Sequence, residues 1–309
     1  MGTLIERDTV WPPLPLADWQ DTYATLHRWT QMVGKTRLAY APMLNHWWQV
    51  TLYISARGLT TTPIPFDEHD FEIEFDFIDH RLIVRTSEGE MRTMDLVPCA
   101  VSEFYHDYTH MLRSLGIEPR FWPVPNELAD ALPFAEDDEH GSYDADAAHR
   151  CWRILMESDR VLKQFRSSFL GKCSPSHFFW GAFDLACTRF SGREAPLHPG
   201  GVPHLPDRVV REAYSHECIS AGWWPGTIGG GLDEPAYYAY AYPEPPGCPE
   251  ATIRPDGAYY HDELHEWILP YEVVRTSDDP DKALLEFFQS TYETAANLGG
   301  WPRALLERA

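Results

Sequence analysis

Twice along this chain a long amphipathic segment runs into Gly-Lys, a short loop, and a histidine followed by two aromatic residues. The first instance is Gly34-Lys35 leading to His46-Trp47-Trp48, and the second is Gly171-Lys172 leading to His177-Phe178-Phe179. A proline stands nineteen residues after each histidine, at Pro65 and Pro196. Each half then shows hairpin-like alternation and closes with an amphipathic helix that ends in glycine. A chain built this way has two similar half-apolar sets of elements to bury. The simplest solution is for both to share antiparallel sheet with helices outside. The pattern therefore predicts an α+β fold of two diverged helix–strands–helix repeats.

The elements can be placed from periodicity. Asp18 caps a first helix whose Trp19, Tyr23, Leu26, Thr30 and Val33 recur at helical spacing, with Gly34 as its stop. Residues 46–58 read as a strand. In 70–77, Phe71, Ile73, Phe75 and Phe77 point inward while Glu72, Glu74 and Asp76 point out, toward Arg81 and Arg85 across a hairpin. Pro98 opens a helix carrying Val101, Phe104, Tyr108, Leu112 and Leu115, closed by Gly116. Residues 118–145, rich in proline and acid, read as a connector between a first repeat (1–117) and a second (146–309), both in one globular unit. The second repeat opens with a helix over about Ala145 to Phe169. It continues as a strand from His177 and carries an unshared excursion at about 190–235. A last helix begins near Pro280 and stops at Gly299–Gly300.

The charge balance narrows the partners. With 25 Lys and Arg against 47 Asp and Glu, the net charge is −22. Such a surface repels phosphate backbones and anionic lipid, so neither nucleic acid nor membrane is an expected partner. No apolar run is long enough to span a bilayer. The opening MGTLIERDTVWPP shows no secretory start, and Glu6 stands where the myristoylation pattern needs Ser or Thr. The six cysteines form no C-x-x-C pair. Reduced thiols in a cytoplasmic protein are expected. Self-association, a homo-oligomer included, is left open.

The second copy carries the polar residues that the first lacks. Asp184 stands where the matched offset gives Tyr53, and alternation along 177–196 puts it on one face with Phe178, Trp180, Ala182 and Ala186. A carboxylate in that setting needs a cation, donors or a proton. Arg189 is the near candidate, whether as a structural ion pair or as a substrate-positioning partner. Ser215-His216-Glu217, beside Trp223 and Trp224, supplies a second polar group with aromatic walls. His46 and His177, common to both copies, read as scaffold. His261 and His265 have the spacing of a helical zinc pair, but Asp262 stands where the metalloprotease pattern has glutamate, so no metal site is expected; Leu264, Trp267 and Ile268 instead give 261–268 the apolar face of a short helix. GTIGGG at 226–231 lacks the ending of a phosphate loop.

The segments SHFFWGAFDLACTRFSGREAP, HPGG, AYSHECISAGWWPG, PAYYAYAYPEP and LPYEVVRTSDDPDKALLEFFQSTYE are similar to those of an uncharacterised bacterial domain-of-unknown-function family. The likeness extends to WPPLPLADWQDTYATLHRWTQMVGK near the start. The resemblance covers nearly the whole chain and implies a bacterial protein whose halves form one unit. It implies no activity and no cofactor.

The residues themselves point to an enzyme acting by acid–base chemistry on a small polar or aromatic molecule. Asp184, Arg189, His216 and Glu217 form its expected catalytic centre, and Trp180, Arg193, Trp223 and Trp224 its expected ligand contacts. The alternative is a non-catalytic small-molecule-binding or assembly protein. No cofactor can be named from these residues.

Overall fold

The computed structural model describes residues 8–202, 205–227 and 231–308. Helix α1, Leu16–Tyr40, runs straight through Gly34 instead of ending there. The reason lies across the fold. A Cβ on Gly34 would stand 2.1 Å from the indole of Trp180, so this glycine is a contact surface within the helix and not a stop.

The strand expected over 46–58 does not form as one element. Asn45–Val50 forms a 3-10 turn with His46 and Trp47 at φ of 57° and 61°, in the left-handed region. Only β1 (Tyr53–Ile54) and β2 (Gly58–Thr60) are extended there. They join β3 (Ile64–Phe66), β4 (His69–Asp76), β5 (Arg81–Thr86) and β6 (Met91–Asp95) in a six-stranded antiparallel sheet of order β1-β2-β4-β5-β6, with β3 also on β4. Alternation along β4 buries Phe71, Ile73 and Phe75 as read from the sequence. Its acidic row is less solvated than expected. Asp76 is buried against Arg57 at 2.5 Å, and Glu74 is tied to Arg85 at 2.9 Å and Ser55 at 2.8 Å.

Helix α2 (Val101–Arg113) packs on α1, where Trp29 stacks on Phe104 with ring centroids 4.3 Å apart. Helix α3 (Ala145–Ser167) is capped by Asp144, whose carboxylate accepts from the Ala147 N–H. The run from His177 is a hairpin and not one strand. β7 (His177–Phe179) turns through Phe183, at φ 56°, into β8 (Asp184–Glu194). Helix α4 (Asp207–Ala213), β9 (His216–Trp224), β10 (Ala236–Tyr242), β11 (Tyr259–His261) and β12 (Glu266–Pro270) follow. The second antiparallel sheet has the order β11-β12-β10-β9-β8-β7. In place of the expected short helix, residues 262–265 form the β11–β12 turn, with His265 at φ 56°. Helices α5 (Tyr271–Thr276), α6 (Pro280–Leu298) and α7 (Arg303–Leu306) end the chain, and Asp279 caps α6 through the Lys282 N–H.

The two sheets meet edge to edge. Leu52 and Phe178 exchange both backbone hydrogen bonds at 2.9 Å. The matched histidines do not open matching strands, because His46 lies in the 3-10 turn and His177 in β7. One face of the second sheet, carrying Leu185, Cys187, Trp223, Tyr237 and Leu269, is buried in a core shared with both halves. Its other face turns toward α1, the 45–50 turn and the 118–133 loop. No helix among the described residues is long and apolar enough to cross a membrane. All six cysteines are free, with the Cys173 and Cys187 sulfurs 3.6 Å apart.

Candidate functional site

Between that second face and the first half lies a cavity of about 720 Å³. β8 supplies its floor with Asp184, Ala186, Thr188 and Phe190. β9 adds Cys218, Ser220 and Trp224, β10 adds Tyr238 and Tyr240, and β12 adds Glu266. These share one face because residues two apart on a strand point the same way, and the registers align the rows. Trp180 and Phe179 extend the aromatic wall, with the Trp180 indole N–H donating to the Val50 carbonyl at 2.7 Å.

The opposite wall comes from the first half. Helix α1 presents Lys35, Leu38 and Ala39, and the 118–133 loop presents Arg120, Trp122 and Glu127. That loop is clamped to α1 by side chains. The Gln31 amide donates to the Asn126 carbonyl at 2.8 Å and accepts its N–H at 2.7 Å, as a neighbouring strand would. Arg28, fully buried, holds Asp130 at 2.7 Å and Asp137 at 2.9 Å. The segment read as a connector is therefore a wall of the cavity. His27, also in α1, donates from Nε2 toward the carbonyls of Trp180 and Gly181 at 3.0 and 2.9 Å. Burial pulls its pKa down to about 4, so it serves as a neutral strut for the β7–β8 turn.

Asp184 sits at the centre. The Tyr238 hydroxyl donates to its Oδ2, although β9 lies between their strands. Gly222 of β9 makes this reach feasible. A Cβ there would stand 2.1 Å from the Leu185 carbonyl oxygen and 2.7 Å from the Tyr238 hydroxyl. Tyr238 stacks on Tyr240, centroids 6.1 Å apart, and Tyr240 shares a hydrogen bond with Tyr214 at 2.9 Å. Burial raises the Asp184 pKa to about 7, the Tyr238 bond opposing and the Glu127 charge assisting. Burial likewise raises Glu266 to about 8, helped by repulsion from Asp184. Burial pushes up the Tyr238 and Tyr240 hydroxyls, so they act as donors and not as anions near neutral pH.

The sequence-derived centre is only partly assembled. Asp184, Trp180 and Trp224 line the cavity. Arg189 does not, because its odd position on β8 turns it to the other face. There its guanidinium lies 3.4 Å from the Phe165 ring centroid and 4.2 Å from that of Tyr292, and it donates to the Phe165 carbonyl. Trp223 is on that buried face as well. Glu217 pairs with Arg193 at 2.6 Å and accepts from Ser191 at 2.8 Å. Arg193 in turn donates to the Gly299 carbonyl at the end of α6. Both belong to a surface brace away from the cavity. His216 lies against His46, ring centroids 5.7 Å apart. Across the β8–β9 ladder Trp223 pairs with Leu185, next to Asp184, and His216 is seven residues back along β9, about 23 Å at strand rise. The expected convergence of Asp184 with Arg189 and with His216 or Glu217 does not occur.

Among the described residues no cluster of three or more His, Cys, Asp or Glu is arranged to hold a metal ion. His261 contacts the Gly231 carbonyl, and His265 stands 3.4 Å from Glu244. Part of the GTIGGG run, 228–230, lies outside the described residues. Glu266, Tyr238, Lys35 and Glu127 were missed from the sequence. Glu266 was hidden behind the helical reading of 261–268, and Glu127 inside the assumed connector. Tyr238 and Tyr240 did carry a signal, since alternate tyrosines in AYYAYAY share one face.

A model of a family described as a family of unknown function (DUF5996) matches residues 11–308. The chain belongs to that family. The match takes in every wall of the cavity, so floor, α1 and the 118–133 loop are parts of one family unit. No curated protein matches. No solved structure matches either.

Proposed function

We propose that this DUF5996 member is an enzyme that binds a small, partly aromatic molecule in the cavity between its halves and acts on it by proton transfer through Asp184. The observation that carries this reading is the pairing of Asp184 with Glu266 on one aromatic-walled face. Both carboxyl groups line the cavity, burial favours the neutral form of each, and the Asp184 charge adds to that for Glu266, so each keeps its proton up to near-neutral pH. Such an acid can give a proton to a bound molecule and take one back, because its pKa lies close to the working pH. Tyr238 fixes the orientation of the Asp184 carboxyl, while Trp180, Phe179, Trp224 and Phe190 offer flat apolar walls to a ring.

The test is a thermal-shift screen of small aromatic acids, amines, alcohols and carbonyl compounds, with mass-spectrometric detection of product for each hit. Hits that raise the melting temperature of the wild type should do so less for Asp184→Asn, and turnover should fall by about 10²–10⁴-fold. Binding without turnover by any hit would assign the protein to non-catalytic small-molecule binding. Hits unaffected by Asp184→Asn would place the site elsewhere.

A further inference from the structure

The chain has four lysines, and three of them, Lys163, Lys172 and Lys282, are exposed. Lys35 is 4% exposed and faces the cavity from α1. A helix position packed on Trp180 has no need of charge, and burying an ammonium is costly unless it is paired. Lys35 donates to the neutral side-chain oxygen of Asn126 and stands 5.5 Å over the Trp180 ring. Burial pulls its pKa down to about 8, with the Glu127 charge opposing. A desolvated lysine of this kind carries a usable fraction of free amine, which is the nucleophilic form.

Its neighbour supplies the acid. Glu127 adopts φ of 60° in the 118–133 loop, and its carboxyl lies on the Gly181 backbone, where a Cβ would come within 2.1 Å of Oε1. Glu127 as a residue is exposed, but the cavity walls crowd its carboxyl and raise its pKa, with the Lys35 charge opposing.

We infer that Lys35 captures the carbonyl carbon of a small aromatic aldehyde or ketone as an imine, with Glu127 as the proton donor for loss of water. This rests on the reading of the cavity given above and names the substrate class for it. The free Nζ attacks the carbonyl carbon. A C–N bond forms, the C=O π bond breaks, and one nitrogen proton passes to the oxygen to give a neutral carbinolamine. Glu127 then protonates the hydroxyl, water departs with the C–O bonding pair, and the nitrogen lone pair closes the C=N bond. The products are a protonated imine, water and the Glu127 carboxylate. The aromatic walls select a carbonyl carried on a ring, and the Tyr238–Asp184 pair lies within the same cavity.

The experiment uses the full chain, sodium cyanoborohydride, and benzaldehyde, 4-hydroxybenzaldehyde and acetophenone as probes, with peptide mapping of the reduced adducts. Lys35 should be labelled at least about tenfold faster than any of the other three lysines, because its amine is free at lower pH. Glu127→Gln should slow that labelling by about tenfold or more. Benzyl alcohol, which has no carbonyl, is followed in parallel with the wild type by tryptophan fluorescence and should bind without labelling. Labelling confined to the exposed lysines with all three probes overturns the inference. If benzyl alcohol binds while Lys35 stays unlabelled, the imine falls and the acid–base reading stands. If benzyl alcohol fails to bind as well, both fall.

Discussion

The protonation of Asp184 and Glu266 has a measurable signature in the stability of the fold. Each carboxyl holds its proton in the folded chain at pH values where the unfolded chain has released it. Between about pH 4 and the folded values near 7 and 8, the folded state therefore binds more protons. By linkage, each group lowers stability as pH rises across that window, by about 1.4 kcal/mol per pH unit while it is differentially protonated. Below about pH 4 both states are protonated and the cost vanishes. His27, pulled down to about 4 by burial, acts in the opposite sense between about pH 4 and 6.5, so the comparison must be with variants. Asp184→Asn and Glu266→Gln should melt close to the wild type at pH 4. They should gain on it steadily until about pH 7 and about pH 8 respectively, and hold a constant lead beyond. A pH-independent difference in melting temperature would show that neither carboxyl is held neutral. Arg189 teaches the complementary lesson. Five positions from Asp184 it looked like a partner, but strand parity alone sends it into three aromatic rings on the opposite face.

At the scale of elements, α1 is the scaffold on which the site is set. Alanine normally improves on glycine inside a helix by about 1 kcal/mol. At Gly34 the order should reverse, because the new methyl would overlap the Trp180 indole. Gly34→Ala should cost about 1–3 kcal/mol in denaturant unfolding, the usual cost of overpacking. It should also alter the tryptophan fluorescence, since Trp180 must leave its contact with the Val50 carbonyl. A stabilised Gly34→Ala would mean that the ring has room to spare. This glycine also marks what the sequence could and could not convey. The periodicity of α1, β4, α2, α3 and α6 is written in local spacing and is readable there. Gly34, the positive-φ residues His46 and Trp47, and the β7–β8 turn at Phe183 are fixed by partners far along the chain. Local pattern therefore returned a helix stop and two long strands in their place. For the site, Asp184 announced itself as a carboxylate in an apolar run, and Trp180 and Trp224 as walls. Glu266, Glu127 and Lys35 each sit in an ordinary local context, and only the packing of three separate elements makes them unusual.

At the scale of the whole molecule, the halves depend on each other for their interiors. Trp152 of α3 donates to the Ser55 carbonyl, Leu52 and Phe178 close a shared backbone bridge, and Tyr271 donates to Pro12 near the other end of the chain. One hydrophobic core takes in residues from Trp11 to Trp301. Expressed alone, neither 1–117 nor 146–309 should show a cooperative melt, whereas the full chain should. A sharp transition in either fragment would make it an independent domain. The cavity inherits this dependence, since Lys35, Glu127, Asp184 and Glu266 come from four distant stretches of chain. In kinetic terms its contacts are of high order, and the loops that bring them together must close before the contacts form. The meeting of these four groups is therefore expected late in folding, after the strands and helices that carry them have formed. Mild destabilisation anywhere along α1 or the second sheet should disperse them while most of the secondary structure remains. Loss of binding would thus be an earlier sign of damage to this chain than loss of helix.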